Sequence, residues 1–366
     1  MPDLRINIVL FGIGSLGNTL INQIIEKKQF LIEKRNIDIR FPVITNSTLA
    51  LFQSDGIKNN WESEFASKSK VYRYEDIIDF VKSHQLENLI VVDTTDSKEL
   101  VKSYMPLIQN GFNIVAANKN ANILHIDFYK ELRRNLKKFN KTFLYEANVC
   151  SGFPVIQTIN NLHLSGEKIT KIRGVFSNSL SYVFNRFSSE EKSFSAILKD
   201  AEGLRLTELD SREDLSGMDT AKKLLVLARE IGKNYELSDI RISSLLLPNL
   251  NQSSTKLDYA LNKELFDKPF HIAKIAQAEN HVLRYVGEFS VLEDKLEVKL
   301  VSESLTSSIG QLNGSDTVFE IYTQSYGKIP IVIHGASIEK KVVACGILTD
   351  ILKVTEKIKI RERILA

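Results

Sequence analysis

Between Thr207 and Lys223 the chain reads Thr-Glu-Leu-Asp-Ser-Arg-Glu-Asp-Leu-Ser-Gly-Met-Asp-Thr-Ala-Lys-Lys, a run of carboxylates that ends in two lysines. Asp219 and Lys223 stand four residues apart at the start of a helical stretch, so their side chains share one face. A carboxylate and an amine held there can orient a hydroxyl group and move its proton, provided burial or neighbours bring the lysine pKa toward the working pH. The same spacing also describes a surface ion pair worth roughly 0.3–0.5 kcal/mol. The pattern alone leaves both readings open.

A second candidate is Lys119, in Ala117-Asn118-Lys119-Asn120-Ala121-Asn122, just past the strand-like Asn113–Ala116. Loops at the carboxyl ends of parallel strands line the ligand crevice of an open sheet. A lysine there can meet a substrate carboxylate or a cofactor phosphate; an exposed loop lysine is the alternative. The six histidines are scattered, with no HExxH spacing and no nucleophile triad, so hydrolase and zinc readings lose support. Cys150 and Cys345 match no zinc or CxxC spacing. They read as reduced thiols of a cytoplasmic protein, or as small buried apolar residues.

The third signal is Gly12-Ile13-Gly14-Ser15-Leu16-Gly17, which follows an apolar strand and opens a helix. The first glycine permits a tight turn, the second lets backbone approach a pyrophosphate, and the third allows close helix–strand packing. The helix N-terminus then offers N–H donors and a positive dipole end to the phosphates. A purely structural glycine turn is the alternative. The second strand, Arg40-Phe41-Pro42-Val43-Ile44, ends in Thr45-Asn46-Ser47 with no acidic residue to hold a ribose 2′-hydroxyl. That omission leans toward NADP or dual use.

These residues need elements to hold them. Short β-branched runs at Ile6–Phe11, Phe41–Ile44, Leu89–Val92 and Asn113–Ala116 alternate with helical stretches at Gly17–Lys28, Tyr74–Ser83 and Ser97–Asn110. Such alternation implies βαβ units and an α/β fold with a Rossmann-type, doubly wound parallel sheet. A charged helix at Asp127–Phe139 and a strand at Thr142–Tyr145 complete it. Past residue 150 the expected order is a helix from Phe153-Pro154, a strand at Ile169–Ser177, and helices at Leu180–Phe187, Phe194–Glu202 and Asp219–Ile231. Alternating segments at His281–Glu288, Lys295–Val301 and Val318–Thr323 suit antiparallel strands covered on one face. A last strand, Pro330–His334, and a helix, Val342–Leu352, follow.

The 366 residues suffice for two domains. A composition of 43% hydrophobic and 25% charged residues with net charge +3 gives no reason to expect a nucleic acid or an anionic membrane as partner. No apolar run approaches the ~20 residues of a bilayer span. After Met1-Pro2-Asp3 the chain enters a strand rather than a signal peptide, so the expectation is a cytoplasmic protein.

Together these blocks resemble homoserine dehydrogenase, in particular the dehydrogenase part of bifunctional aspartokinase–homoserine dehydrogenases. The matching segments run in order across nearly the whole chain: FGIGSLGNTL, VVDTTDS, NIVAANKNAN, YEANVCSGFPVIQTINNL, GVFSNSLSYVFNRF, TELDSREDLSGMDTAKKLLVLAREIG, QLNGSDTVFEIYT and ACGILTDIL. The resemblance favours the catalytic reading of Asp219 and Lys223, and the length leaves no room for an appended kinase or regulatory domain. It implies NAD(P)-dependent interconversion of L-homoserine and L-aspartate 4-semialdehyde, in threonine and methionine biosynthesis. Glu208 would bind the substrate amino group, Asp214 and Asp219 would position its polar groups, and Lys223 would exchange the hydroxyl proton. Lys119 would sit beside nicotinamide and substrate. Gly12, Ile13, Gly14, Ser15, Leu16, Gly17, Thr95 and Ala117 would line NAD(H) or NADP(H). A sodium ion would rest on backbone carbonyls of Glu146, Val149, Ser151 and Phe153. The implied organisation is a Rossmann domain over residues 1–150, completed by 325–366, and an α+β catalytic and dimerisation domain over 151–324 that pairs two copies as a homodimer.

Four positions depart from the family pattern, each where a small residue is usual. They are Cys150-Ser151-Gly152, Ser177-Asn178-Ser179, Arg205 three residues before Glu208, and Gly335-Ala336-Ser337-Ile338-Glu339 ahead of Lys340 and Lys341. Glycines near a cofactor serve close approach or positive φ, so these changes bear on whether the site is intact. The competing expectations are a catalytically silent homologue acting as a binding or regulatory partner, and an oxidoreductase with a different aldehyde substrate. Glu208 argues against the latter.

Overall fold

The structure is a computed structural model of the chain and describes residues 4–150, 152–250, 255–336 and 340–365. The chain divides into two units, Met1–Gly152 with Glu339–Ala366, and Phe153–Ile338.

In the first unit, apolar β-branched runs become strands because a sheet covered on both faces buries nearly every side chain of its central strands. β1 (Leu4–Phe11), β2 (Ile37–Thr45), β3 (Leu49–Phe52), β4 (Lys70–Val71), β5 (Leu89–Asp93), β6 (Asn113–Ala116) and β7 (Phe143–Leu144) form one sheet in the order β4-β3-β2-β1-β5-β6-β7. β1 pairs parallel with both β2 and β5, and β5, β6 and β7 continue the parallel run. The chain leaves β1 toward β2 and later returns on the other side as β5, so the carboxyl end of β1 is the switch point where such sheets take ligands. The connecting helices are α1 (Ser15–Arg35), α2 (Trp61–Lys68), α3 (Tyr74–Ser83), α4 (Lys98–Lys102), α5 (Tyr104–Gln109), α6 (Asn120–Ile123) and α7 (Ile126–Lys138).

Two details differ from expectation. β3 and β4 are antiparallel additions at the sheet edge. The reversal is made by Asn46, whose Oδ1 accepts the N–H groups of Thr48 at 2.9 Å and Leu49 at 2.7 Å, an Asx turn. The helix expected over 97–110 is broken at Ser103 into α4 and α5. Pro106 has no N–H to continue an i→i−4 ladder across that point.

The second unit holds β8 (Ile169–Val175), β9 (Arg241–Ile242), β10 (His281–Ser290), β11 (Lys295–Ser304), β12 (Thr317–Thr323) and β13 (Ile331–Gly335) in the order β13-β12-β8-β10-β11-β9. All neighbours pair antiparallel except β9 and β11. Its helices are α8 (Val155–Leu164), α9 (Asn178–Ser189), α10 (Phe194–Gly203), α11 (Arg212–Leu215), α12 (Met218–Glu230), α13 (Lys256–Leu261) and α14 (Asp267–Ile275). Among them α9 and α12 pack on β10. Another face of this sheet is charged: Arg173 meets Glu288, Glu303 and Glu320 from three other strands.

The segment expected to return from 325 first adds β13 to β12, in register from Thr317↔Gly335 to Ile321↔Ile331. Only afterwards does α15 (Lys340–Leu365) join the first unit. It runs well past the expected end at Leu352, because Ile347, Ile351, Val354 and Ile358 recur at helical spacing and are buried. The lysines and glutamates between them hide that stripe in the sequence.

Candidate functional site

In the first unit the glycine cradle follows from sterics. Gly12 has φ +96°, and a Cβ on Gly17 would stand 1.9 Å from the Gly12 carbonyl oxygen. Gly14 differs: a Cβ there meets nothing within 4 Å, so its outer side is open. The turn is held from behind, since the N–H groups of Gly12 and Ile13 donate to the Thr45 carbonyl at 2.9 and 3.0 Å. The Thr94 hydroxyl donates to the Gly12 carbonyl at 2.6 Å. α1 has no side-chain cap and no acid in its first turn, leaving N–H donors of the kind that bind phosphate. The Lys340 ammonium donates to the Ser15 hydroxyl at 2.7 Å, which brings a cation to the same end.

Beside the cradle, Asp93 at the end of β5 organises the loops that carry Thr95, Ala117 and Lys119. Its Oδ1 accepts the N–H and the hydroxyl of Thr95 at 2.8 and 2.7 Å. Its Oδ2 accepts Tyr104 Oη at 2.7 Å and Asn118 Nδ2 at 2.9 Å. Burial pushes the Asp93 carboxyl up, against those hydrogen bonds. The Ala117 N–H donates to the Asp93 carbonyl at 2.8 Å, and Lys119 is the N-cap of α6. A cavity of about 700 Å³ opens at this carboxyl edge, walled by Phe11, Thr45–Ser47, Tyr72–Glu75 and Thr95–Ser97. Open space at Gly14, uncapped first-turn donors and this cavity fit a dinucleotide.

In the second unit Lys223 projects from α12 toward the end of β8. Its Nζ donates to the Phe176 carbonyl at 2.7 Å and lies 2.9 Å from Asp219 Oδ2. With 15% of its side chain exposed, the lysine is partly withdrawn from water. The carbonyl it meets is fixed by packing: the Phe176 ring stacks on Phe319 at 4.7 Å, and a Cβ on Gly287 would come within 2.7 Å of that ring. Gly217 starts α12 with φ +76°, where a Cβ would stand 2.0 Å from the Tyr285 hydroxyl.

Asp214 on α11 ties the loop bearing Glu208 to the start of α9. Its Oδ1 accepts the Ser179 hydroxyl at 2.5 Å and its Oδ2 accepts the Glu208 N–H at 2.9 Å. Burial raises the Asp214 carboxyl, and the charges of Glu208 and Asp219 add to the rise. Ser177 and Ser179 share a hydrogen bond of 2.9 Å. The hydroxyl that Asp214 accepts thus comes from a serine that keeps the family pattern, while the departing residue, Asn178, donates its Nδ2 to the Ser315 carbonyl at 3.0 Å. The Glu208 side chain is exposed and lines a cavity of about 620 Å³ with Arg205, Asp210, Ser211, Lys256 and Tyr259. Arg205 has φ +57°, the left-handed backbone that a glycine would adopt without cost.

The site thus brings Lys223 to Asp219, and Asp214 to the loop bearing Glu208, while Thr95, Ala117 and the glycine cradle share the edge of the first sheet. Sequence reasoning missed Asp93, Thr94, Ser179 and the Phe176 carbonyl. A buried acid at a strand end and a Ser-x-Ser at a helix start were the available signals. The carbonyls expected to hold sodium are spread over both units, and Ser151, like Ser337-Ile338-Glu339, lies outside the described residues. The Glu146 carbonyl accepts the N–H groups of Val149 and Cys150, each at 3.3 Å. Among the described residues no group of three or more His, Cys, Asp or Glu could hold a metal ion.

Fold and clusters define a two-unit dinucleotide-binding protein. Residues 12–146 match the NAD binding domain of homoserine dehydrogenase, and residues 154–352 match homoserine dehydrogenase itself. The chain belongs to the homoserine dehydrogenase family. It is 30% identical over 364 residues to the Schizosaccharomyces pombe homoserine dehydrogenase, covering 97% of this chain and 96% of that one. It is 36% identical over 353 residues to the bifunctional aspartokinase/homoserine dehydrogenase of Buchnera aphidicola, covering 95% of this chain and 42% of the relative. The chain thus spans about two fifths of the bifunctional relatives it matches. A crystal structure of a Candida auris protein of unknown function superposes with TM-score 0.87 at 28% identity, covering 96% and 98% of the two chains. A hyperthermophilic archaeal homoserine dehydrogenase in complex with NADPH shares the fold, with TM-score 0.72 at 21% identity over 96% and 98%.

Proposed function

We propose that the protein is an NAD(P)-dependent homoserine dehydrogenase that interconverts L-homoserine and L-aspartate 4-semialdehyde, serving threonine and methionine synthesis. The observation that carries this is Lys223, its ammonium held between the Phe176 carbonyl and the Asp219 carboxylate. Two of its three N–H groups are so engaged, and the third is left for a substrate oxygen. In the reducing direction this N–H protonates the oxygen of the former aldehyde. In the oxidising direction the amine takes the hydroxyl proton, and Asp219 and the Phe176 carbonyl stabilise the ammonium that results. Glu208 receives the α-ammonium of the amino acid, and Asp214 holds the Glu208 backbone in place through its N–H.

Gly12, Ile13, Gly14, Ser15, Leu16 and Gly17 would hold the dinucleotide with Thr95, Ala117 and Lys119. When bound, a nicotinamide would supply the hydride acceptor or donor for the carbon bearing the oxygen. Residence in the cytoplasm, and a homodimer formed by the second unit, follow the family likeness as parts of the same proposal. Among the described residues no helix is long and apolar enough to cross a membrane. A silent homologue would have no need to keep Lys223 paired with Asp219 and Ser179 hydrogen-bonded to Asp214.

The test is oxidation of NADPH by the purified protein with aspartate semialdehyde, beside Lys223→Ala. Loss of the proton-transfer group is expected to lower kcat by about 10²–10⁴-fold, with NADPH affinity unchanged. Absence of turnover in a folded wild-type protein that binds NADPH would overturn the proposal.

A further inference from the structure

We infer that this chain takes the 2′-phosphorylated dinucleotide in preference to NAD(H), and that Arg73 sets the preference. The inference rests on the dinucleotide site proposed above and concerns the ribose end of its cavity. Proteins that select NAD place a carboxylate at the end of β2 to accept the ribose 2′-hydroxyl, and that carboxylate repels a 2′-phosphate. Here β2 ends in Thr45-Asn46-Ser47, and all three line the cavity of about 700 Å³. The Asn46 Oδ1 is taken by the N–H groups of Thr48 and Leu49. What this strand end can present is therefore a carboxamide NH₂ and the Ser47 hydroxyl, both donors.

The facing wall is the segment Tyr72–Glu75. It follows directly on β4, which pairs with β3, and the Tyr72 hydroxyl donates to the Asn46 carbonyl at 3.2 Å, so the segment is tied to the end of β2. Arg73 is exposed there. Its backbone N–H donates to Asp76 Oδ2 at 2.7 Å, which fixes the main chain. Its guanidinium makes no ion pair among the described residues. A guanidinium suits a phosphate dianion through paired N–H···O bonds.

Three carboxylates also line the cavity, and they do not remove this donor set. Glu99 gives both oxygens to Lys102, at 2.7 and 2.9 Å. Asp96 lies past β5 and accepts Asn120 Nδ2 at 3.2 Å. Glu75 follows Arg73 on the first turn of α3. None of the three stands at the end of β2, where an acid would reject the phosphate.

The experiment is equilibrium binding of NADPH and NADH, followed by nicotinamide fluorescence, to wild type and to Arg73→Gln. Wild type is expected to bind NADPH roughly ten- to a hundredfold more tightly than NADH, the range of one charged hydrogen-bonding partner. Arg73→Gln is expected to lose that ratio through NADPH alone, with NADH affinity unchanged, which also shows that the variant is folded. Equal binding of the two by wild type, or a ratio that survives in Arg73→Gln, overturns the inference and leaves the dehydrogenase reading standing. Binding of neither nucleotide by folded wild type overturns both.

Discussion

At the edge of the first sheet the cradle is formed by main chain, by neutral side chains and by space, whereas the cluster around Lys223 and Asp214 consists of ionisable groups that hold one another. The glycine turn is fixed by the Thr45 carbonyl and the Thr94 hydroxyl, and a single added carbon is its main threat. The second cluster has little room for change in charge, because Lys223, Asp219, Asp214 and Ser179 satisfy neighbouring groups in pairs. One region is therefore sensitive to shape, and the other to protonation and hydrogen-bond capacity.

The largest effect that sharpens this contrast is at Gly17. A Cβ 1.9 Å from the Gly12 carbonyl oxygen cannot be relieved by a side-chain rotation, since the atom it meets is backbone. Gly17→Ala is expected to destabilise the protein by about 1–3 kcal/mol, as overpacked sites do, and to abolish NADPH binding. Chemical denaturation and fluorescence titration would check both. Retention of full affinity would mean that the cradle is not the cofactor site.

At Asp214 the contrast turns on charge rather than volume. Burial raises its carboxyl above the ordinary 3.8, so between that value and the raised one the native state binds more protons than the unfolded chain. Stability then falls as pH rises through this window, and the ionised form is carried at a cost at neutral pH. Asp214→Asn removes that cost. Its amide oxygen can still accept the Glu208 N–H while its NH₂ faces Ser179. The variant is expected to gain stability on wild type as pH rises from below 3.8, then to hold a constant advantage near neutrality, with activity reduced. Denaturation curves at a series of pH values test this. A difference that shrinks with rising pH would mean that the hydrogen bonds outweigh burial.

The sequence discloses these regions unequally, for physical reasons. A glycine triplet after a strand is a local steric requirement, so the cradle was legible residue by residue, and Asp219 with Lys223 was legible because a helix fixes i,i+4 neighbours. Asp93 was not, because its partners come from positions 95, 104 and 118 and meet only when β5 and β6 pair. Ser179 and Asp214 are likewise 35 residues apart. β3 is four residues long, too short for an alternation to show, and the Asx turn that starts it depends on one side chain. α13 and α14 bury few residues and so leave no apolar stripe to read.

Arg205 supplies the smallest test, and it separates two reasons for a glycine. Gly17 is needed for space, but at the position of Arg205 the requirement is a left-handed backbone, met here at φ +57° by a residue whose side chain is exposed. Holding an L-residue there costs roughly 1–2 kcal/mol, and glycine returns about 0.5–1 kcal/mol of that through the greater freedom of the unfolded chain. Arg205→Gly is therefore expected to stabilise the protein by roughly 0.5 kcal/mol, a shift small but measurable in paired denaturation curves. If kcat and the homoserine KM stay unchanged, arginine is tolerated only because its side chain has room. A gain in stability with a raised KM would instead give the guanidinium, beside Glu208 in the same cavity, a part in holding the substrate.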